Sequence, residues 1–372
     1  MTRRETYLDW NATAPLRPKA RAAMNAALER CGNPSSVHRQ GRAARQQVEA
    51  AREAVAALIY APADAIIFVS GGTEANHLAL LGSGRERVLV SAVEHSSVLQ
   101  VVPTAETIPV DAGGRVDPVQ LDALLAADPR PAIVSVMLAN NETGVIQPVA
   151  ELAAAAHARG ALFHCDAVQA AGRIPVVAAE TGADLISLSA HKLGGPSGIG
   201  ALAVIGDVAL MPTIRGGGQE RGRRAGTENL PGIAGFAGAA EAAAAGIGEY
   251  RRVASLRDRL ESEALRAVPQ ALTIGADVAR LPNTASLALP GVAAETQVIA
   301  LDLAGVMVSA GAACSSGKVG PSHVLRAMGL APAIAGATIR VSLGWTTTED
   351  DIAHFLEVWT RLARRLSAKE AA

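Results

Sequence analysis

The sequence predicts an α/β fold, a mostly parallel sheet covered by helices, followed by a smaller second unit. Three observations carry this. Short apolar runs of strand length alternate with helix-length segments through the first two hundred or so residues. Conspicuous polar residues fall directly after those runs, where ligands of such sheets gather. Beyond residue 249 the rhythm changes to a long charged helix, shorter strands and a terminal helix.

Taken in order, residues 17–30 and 42–58 have helical composition and spacing, and GNPSS at 32–36 between them is a turn-rich loop. IIFV at 66–69 reads as a strand, and SGGTEAN at 70–76 turns from it into a helix. Residues 88–91 form a strand leading to EHSS at 94–97. Residues 133–138 read as a buried strand ending at NNETG, 140–144. A helix over 149–159 precedes a strand over 161–166 with an acid at its end. Residues 185–188 are a short buried strand that runs into Ser189, Ala190, His191 and Lys192, then a glycine turn, then a second apolar run over 199–205. The Ala-rich run 239–245 predicts a packed helix of small side chains, and helices follow over 249–266 and from Thr348.

Bulk properties exclude several classes. With 34 basic and 35 acidic residues in 372, no charge asymmetry marks a nucleic-acid or membrane surface. The N-terminus lacks the apolar core of a signal peptide, and no apolar run reaches the roughly 18 residues of a membrane span. No internal repeat or long linker is visible. Cys31, Cys165 and Cys314 are too few and scattered for a disulfide framework, and none are at a metal-ligand spacing. A reducing, cytoplasmic setting is expected.

Three features carry chemistry. Lys192 lies just past a strand, beside a histidine and small residues. A desolvated lysine there has a lowered pKa and a nucleophilic amine; a solvated loop lysine is the alternative. At Ser70–Gly71–Gly72–Thr73 a strand-to-helix turn exposes N–H groups that favour an anion, although an ordinary helix start reads the same way. No GK[ST] follows, so this is not a Walker loop. Asp166 ends an apolar strand and is costly there without a partner. It serves either as a cap for 167–169 or as a carboxylate facing a protonated ring nitrogen. Lysine, acid and phosphate turn together are the groups that hold pyridoxal phosphate.

Ten motifs in order carry a resemblance to a known family: YLDWNATAP at Tyr7, GNPSSVH at Gly32, FVSGGTEAN at Phe68, EHSSV at Glu94, ANNETGVIQP at Ala139, FHCDAVQAAG at Phe163, SLSAHKLGGPSGIGAL at Ser187, GGGQERGRRAGTEN at Gly216, SAGAACSSG at Ser309 and IRVSLG at Ile339. The chain resembles the class V, fold-type I pyridoxal-phosphate enzymes, and within them the NifS/IscS-like cysteine desulfurases. The resemblance implies a large domain (12–249) on a mostly parallel seven-stranded sheet. It implies a smaller α+β domain (1–11 and 250–372) that carries a cysteine loop at about 309–322.

It also implies roles. Lys192 would bind the cofactor covalently, His95 would stack on its ring and move protons, and Asp166 would pair with the ring nitrogen. Gln169 would approach the ring hydroxyl and Asn141 the same side. Gly72, Thr73, Ser189 and His191 would hold the phosphate, and Thr227 would reach the phosphate of the other subunit of a homodimer. Arg340 would clamp the substrate carboxylate, with Asn11 nearby; a planar guanidinium suits that better than an ammonium. Cys314, in a small polar stretch that predicts a mobile exposed loop, would take sulfur from L-cysteine as a persulfide, leaving alanine. Cys165, in an apolar strand, reads as inert core; Cys31 adjoins a turn.

The SxGxACxSG pattern resembles the branch that passes sulfur to an iron–sulfur scaffold protein, which implies that Cys314 would be able to serve as a shared cluster ligand. Trp10 and Ala14 depart from the usual LDxNATTP, which bears on the pocket mouth, and an alanine replaces a more usual serine before Cys314. The housekeeping scaffold-binding tail is missing after the last helix, which leaves the acceptor open between a housekeeping and a dedicated role. A selenocysteine lyase or another class V aminotransferase would share the cofactor site without needing Cys314. A non-enzymatic nucleotide-binding module would use the glycine turn without Lys192.

Overall fold

The computed structural model describes residues 4–311 and 322–370, with side chains as far as 365. In chain order the strands are β1 (Thr6–Tyr7), β2 (Ile66–Val69), β3 (Arg87–Ser91), β4 (Glu106–Ile108), β5 (Ala132–Ser135), β6 (Leu162–Asp166), β7 (Leu185–Ser189) and β8 (Gly200–Val204). Then come β9 (Leu272–Thr273), β10 (Thr284–Ala288), β11 (Val306–Met307), β12 (Ser309–Ala310) and β13 (Thr338–Ser342).

Among the described residues the main sheet has seven strands in the order β2-β8-β7-β6-β5-β3-β4. Only β8 runs against its neighbours; the other pairings are parallel. Strands β5, β7 and β8 are buried at every residue, as a sheet covered on both faces requires. Their apolar runs therefore show no alternation. The run expected over 133–138 leaves the regular ladder after Ser135. Val136 and Leu138 still donate to His164 O and Asp166 O of β6, at 3.0 and 2.9 Å, so the chain stays beside β6 as far as the acid.

The Leu230–Ala245 helix packs on the Pro18–Leu28 and Arg39–Leu58 helices. Small side chains let them approach closely: a β-carbon on Gly238 would lie 2.8 Å from Lys19 O. A second core forms where β12-β13-β10-β9 make an antiparallel sheet under the Tyr250–Ala267, Ala294–Leu303 and Glu349–Glu370 helices. Buried Trp359 donates from its indole to Gln297 Oε1 at 3.0 Å in that core. The N-terminus joins it: β1 pairs in parallel with β11, and Leu8 lies among its apolar side chains. Among the described residues no single helix is long and apolar enough to cross a membrane.

Candidate active site

Strands β6 and β7 lie side by side with Asp166 opposite Ser187, so Asp166 and Ser189 emerge at the same edge. Together with the start of the Gly72–Gly82 helix they open a cavity of about 340 Å³. Among the residues expected from sequence, Asn11, Gly72, Thr73, His95, Asn141, Asp166, Gln169, Ser189, His191, Lys192 and Arg340 line it. Thr227 lines a different hollow, with Gly198, Arg224 and Glu228. Cys314 lies outside the described residues.

Lys192 ends a single turn after β7 that closes at Gly194, whose φ is +87°. A β-carbon there would also meet Arg17 and the Trp345 ring at 2.6 Å, so only glycine turns the chain back at this point. The Lys192 amine donates to Asn11 O at 2.6 Å and Ala12 O at 2.7 Å. His191 contacts Thr13 Oγ1 at 3.3 Å; burial first, then the Lys192 and Arg173 charges, push its pKa down to about 4. The WNAT stretch is thus a strap across the lysine turn.

The same strap is held from the other side. Buried Arg173 donates to the side chain and carbonyl of Gln169, to Trp10 O and to Lys192 O, and Gln169 Nε2 donates to Asn11 O at 3.1 Å. The Asn11 side chain is committed to Asn141 O, Thr284 Oγ1 and Asn283. Trp10 is not part of the cavity lining; its ring packs edge-on against Trp345, centroids 4.5 Å apart. Its departure from the family pattern therefore sits beneath the strap.

Asp166 Oδ1 accepts from Val168 N at 3.0 Å, and Oδ2 accepts from Asn76 Nδ2 at 2.9 Å. It caps the turn and also lines the cavity. Asn76 donates in addition to Ser97 Oγ at 2.9 Å, which contacts His95 Nδ1 at 2.7 Å. His95 Nδ1 accepts from Ser97 N at 3.1 Å, which leaves the proton of the neutral ring on Nε2. Burial lowers the His95 pKa, and Lys192 and His323 lower it further, against the opposing Asp166 charge. Sequence reasoning did not assign Asn76, Ser97 or Arg173. For Asn76 the available signal was its place one turn after Gly72 in the helix that starts at the glycine turn.

Arg340 projects from the middle of β13. Its Nη2 meets Asp9 Oδ1 at 2.7 Å and its Nη1 donates to Asn141 O at 3.1 Å. Its Nε is buried without a partner among the described residues. Asp9 also accepts from Ser309 Oγ at 2.9 Å. Cys165 is fully buried, and burial pushes its thiol pKa well up, so it is inert core; Cys31 is exposed.

The cavity fits pyridoxal phosphate. Gly72 forms a cradle at an eleven-residue helix's N-terminus, where a β-carbon would lie 3.0 Å from Val168 and 3.5 Å from Ser189. Across it stand a carboxylate, a strand-end lysine and an arginine with an orphaned N–H. Fold and site together define a fold-type I pyridoxal-phosphate enzyme.

Comparison with known proteins narrows this. The family model for class V aminotransferases matches residues 6–355. A cysteine desulfurase of Cereibacter sphaeroides is 48% identical over 97% of this chain and 96% of its own length. Cysteine desulfurase IscS of Dictyoglomus turgidum is 41% identical, over 98% and 96%. A NifS-like protein from Rickettsia africae superposes with a TM-score of 0.89 at 35% identity, over 97% of this chain and all of that one. The chain belongs to the class V aminotransferase family, whose members depend on pyridoxal phosphate, and within it to the cysteine desulfurases.

Proposed function

We propose that the protein moves the sulfur of L-cysteine onto Cys314 as a persulfide and releases L-alanine. The convergence of Lys192, Asp166, His95 and Arg340 on one cavity carries this reading. Gly72, Thr73, Ser189 and His191 would hold the cofactor phosphate, Asp166 the ring nitrogen, and Gln169 and Asn141 one ring edge. His95 would cover the ring, and Lys192 would anchor the group covalently. When bound, pyridoxal phosphate supplies an electron sink for charge developing at the substrate α-carbon.

The residues do the rest. Arg340 binds the α-carboxylate through its guanidinium, which Asp9 and Asn141 hold in one orientation. The Lys192 amine removes the α-proton. The Cys314 thiolate attacks the substrate sulfur: an S–S bond forms, the carbon–sulfur bond breaks, and the thiol proton stays on the departing sulfur. The former β-carbon then needs one proton. In its imidazolium form His95 delivers one from Nε2 and returns to the neutral ring. In sum, cysteine and a protein thiol become alanine and a protein persulfide.

Thr227 does not line the cavity of its own chain, which supports a role at the site of a partner subunit in a homodimer. Residues 12–249 would then form the cofactor-binding domain, and 1–11 with 250–372 the domain bearing Cys314. Sulfur would pass to an iron–sulfur scaffold protein in the cytoplasm, with Cys314 able to serve as a shared cluster ligand.

The test is incubation of the cofactor-loaded protein with L-cysteine followed by intact-mass analysis. One sulfur is expected on Cys314, removed by reductant, with alanine released in step. Cys314→Ser should keep the cofactor and take up no sulfur. Unchanged alanine release by that variant would move the function to another reaction of the same cofactor.

A further inference from the structure

We propose that Arg173 is a positioning residue for the cofactor: it locks the Gln169 amide so that an N–H, and not the carbonyl oxygen, meets the oxygen on the cofactor ring. This rests on the cofactor reading above. The amide is held at both ends. Arg173 Nη1 donates to Gln169 Oε1, and to the Gln169 backbone carbonyl at 2.9 Å. On the other side Gln169 Nε2 donates to Asn11 O at 3.1 Å. A guanidinium only donates and a backbone carbonyl only accepts, so the amide cannot turn over without losing both bonds. One N–H of Gln169 is then left for the cavity that the residue lines.

The chain is shaped to return Arg173 beneath the site. After Asp166 ends β6, Ala170 N and Ala171 N both bond to Ala167 O, at 3.0 and 2.9 Å. Gly172 then takes φ +78°, and a β-carbon there would lie 3.0 Å from Ala243. Arg173 follows at 3% exposure, four positions past Gln169. Its Nη2 donates to Trp10 O at 3.2 Å and Lys192 O at 3.3 Å. All of these acceptors are uncharged, so the buried cation is costly where it stands. Burial lowers its pKa, with the Tyr250 hydroxyl opposing and the Arg340 charge adding. What the cation provides is a fixed fan of donors across Gln169, the strap and the lysine turn. Asn11 O also accepts from the Lys192 amine at 2.6 Å, so one carbonyl registers both the amide and the lysine.

The ring oxygen of pyridoxal phosphate lies beside the nitrogen that would join it to Lys192. A donor to that oxygen favours its anionic form, and an amide carbonyl in its place would repel it. The N–H therefore lowers the pH at which the lysine-bound cofactor loses its proton. The titratable and charged groups around that nitrogen, His95, Asp166, His191 and Arg340, line the same cavity and are kept in every variant below.

The experiment titrates the visible absorbance of pyridoxal-phosphate-loaded wild type, Arg173→Met, Arg173→Lys, Gln169→Met and the Arg173→Met/Gln169→Met double variant. Arg173→Met should raise the midpoint by about one pH unit, as loss of a hydrogen bond to a charged group does. Gln169→Met should raise it equally, and the double variant no further, because the two residues act through one N–H. Gln169→Met also tests that N–H if Arg173→Met does not fold. Arg173→Lys, whose ammonium still only donates, should stay closer to wild type than Arg173→Met. A wild-type midpoint in Gln169→Met or in Arg173→Met, shifts that add in the double variant, or equal shifts in the Lys and Met variants would overturn the inference. A wild-type protein with no visible band that borohydride removes overturns the cofactor reading itself.

Discussion

Replacing Asp166 with Asn keeps the shape of the site and removes one negative charge. Oδ1 accepts from Val168 N at 3.0 Å, and an amide oxygen does the same. On the other side a new amide N–H₂ would confront Asn76 Nδ2, now 2.9 Å from Oδ2. Asn76 can turn over, because its Oδ1 is buried without a partner among the described residues. The structural loss is then about 1 kcal/mol, the net worth of one hydrogen bond. The catalytic loss is larger. Opposite unit charges about 4 Å apart at an effective dielectric near 20 attract by about 4 kcal/mol. That corresponds to about a thousandfold in rate. The assay is steady-state alanine release from L-cysteine, with cofactor content read by absorbance and stability by urea unfolding. We expect kcat to fall by about three decades with near-normal cofactor content and stability. A variant within about tenfold of wild type, with normal cofactor content, would refute the assignment of Asp166 as the charge opposite the ring nitrogen.

Two further outcomes concern stability. Arg52 and Glu220 form a buried two-point ion pair, 2.6 and 3.0 Å, and Glu220 also accepts from Phe68 N at 3.0 Å. Glu220→Ala leaves the buried Arg52 with only Glu49 Oε2 at 3.1 Å and Ile66 O at 2.7 Å and orphans the Phe68 N–H, and urea unfolding should show a loss of about 3 kcal/mol. His164, wholly buried between Ser135 and Ser187, has its pKa lowered to about 4 by burial, against an ordinary 6.5. The unfolded chain therefore binds more protons in that window, and stability is retained above pH 6.5 and lost as pH falls toward 4. At pH 5 the loss should be about 2 kcal/mol relative to neutrality, and His164→Asn should flatten that slope in denaturant titrations.

Much of the cofactor half was legible because its code is local. An apolar run followed at once by a polar residue marks both a strand and its working end, and this placed Asp166, Ser189 and Lys192 at one edge. The direction of β8 was not legible. Its apolar residues read the same either way, and only the tight turn at Gly194 to Gly198 shows the chain doubling back. Nor did the sequence reveal that Asp9 would meet Arg340, 331 positions away, or that Glu142 would meet Ser322, 180 away. Such pairings follow from how the two cores stack, which no window of residues records. The extra length expected of β5 has a simpler cause. Val136 to Leu138 are as apolar as a strand and keep bonding to β6, but outside a regular ladder.

The β1–β11 pairing makes the strap a joint between the two cores. Thr6 donates to Gly305 O, Leu8 to Met307 O, and Ser342 to Leu8 O. The strap that follows them, Trp10 to Thr13, is held from the large sheet by Arg173, Gln169 and Lys192, and from the second sheet by the Ser342 and Thr284 hydroxyls. A change in how the two cores stack is therefore felt at the lysine turn.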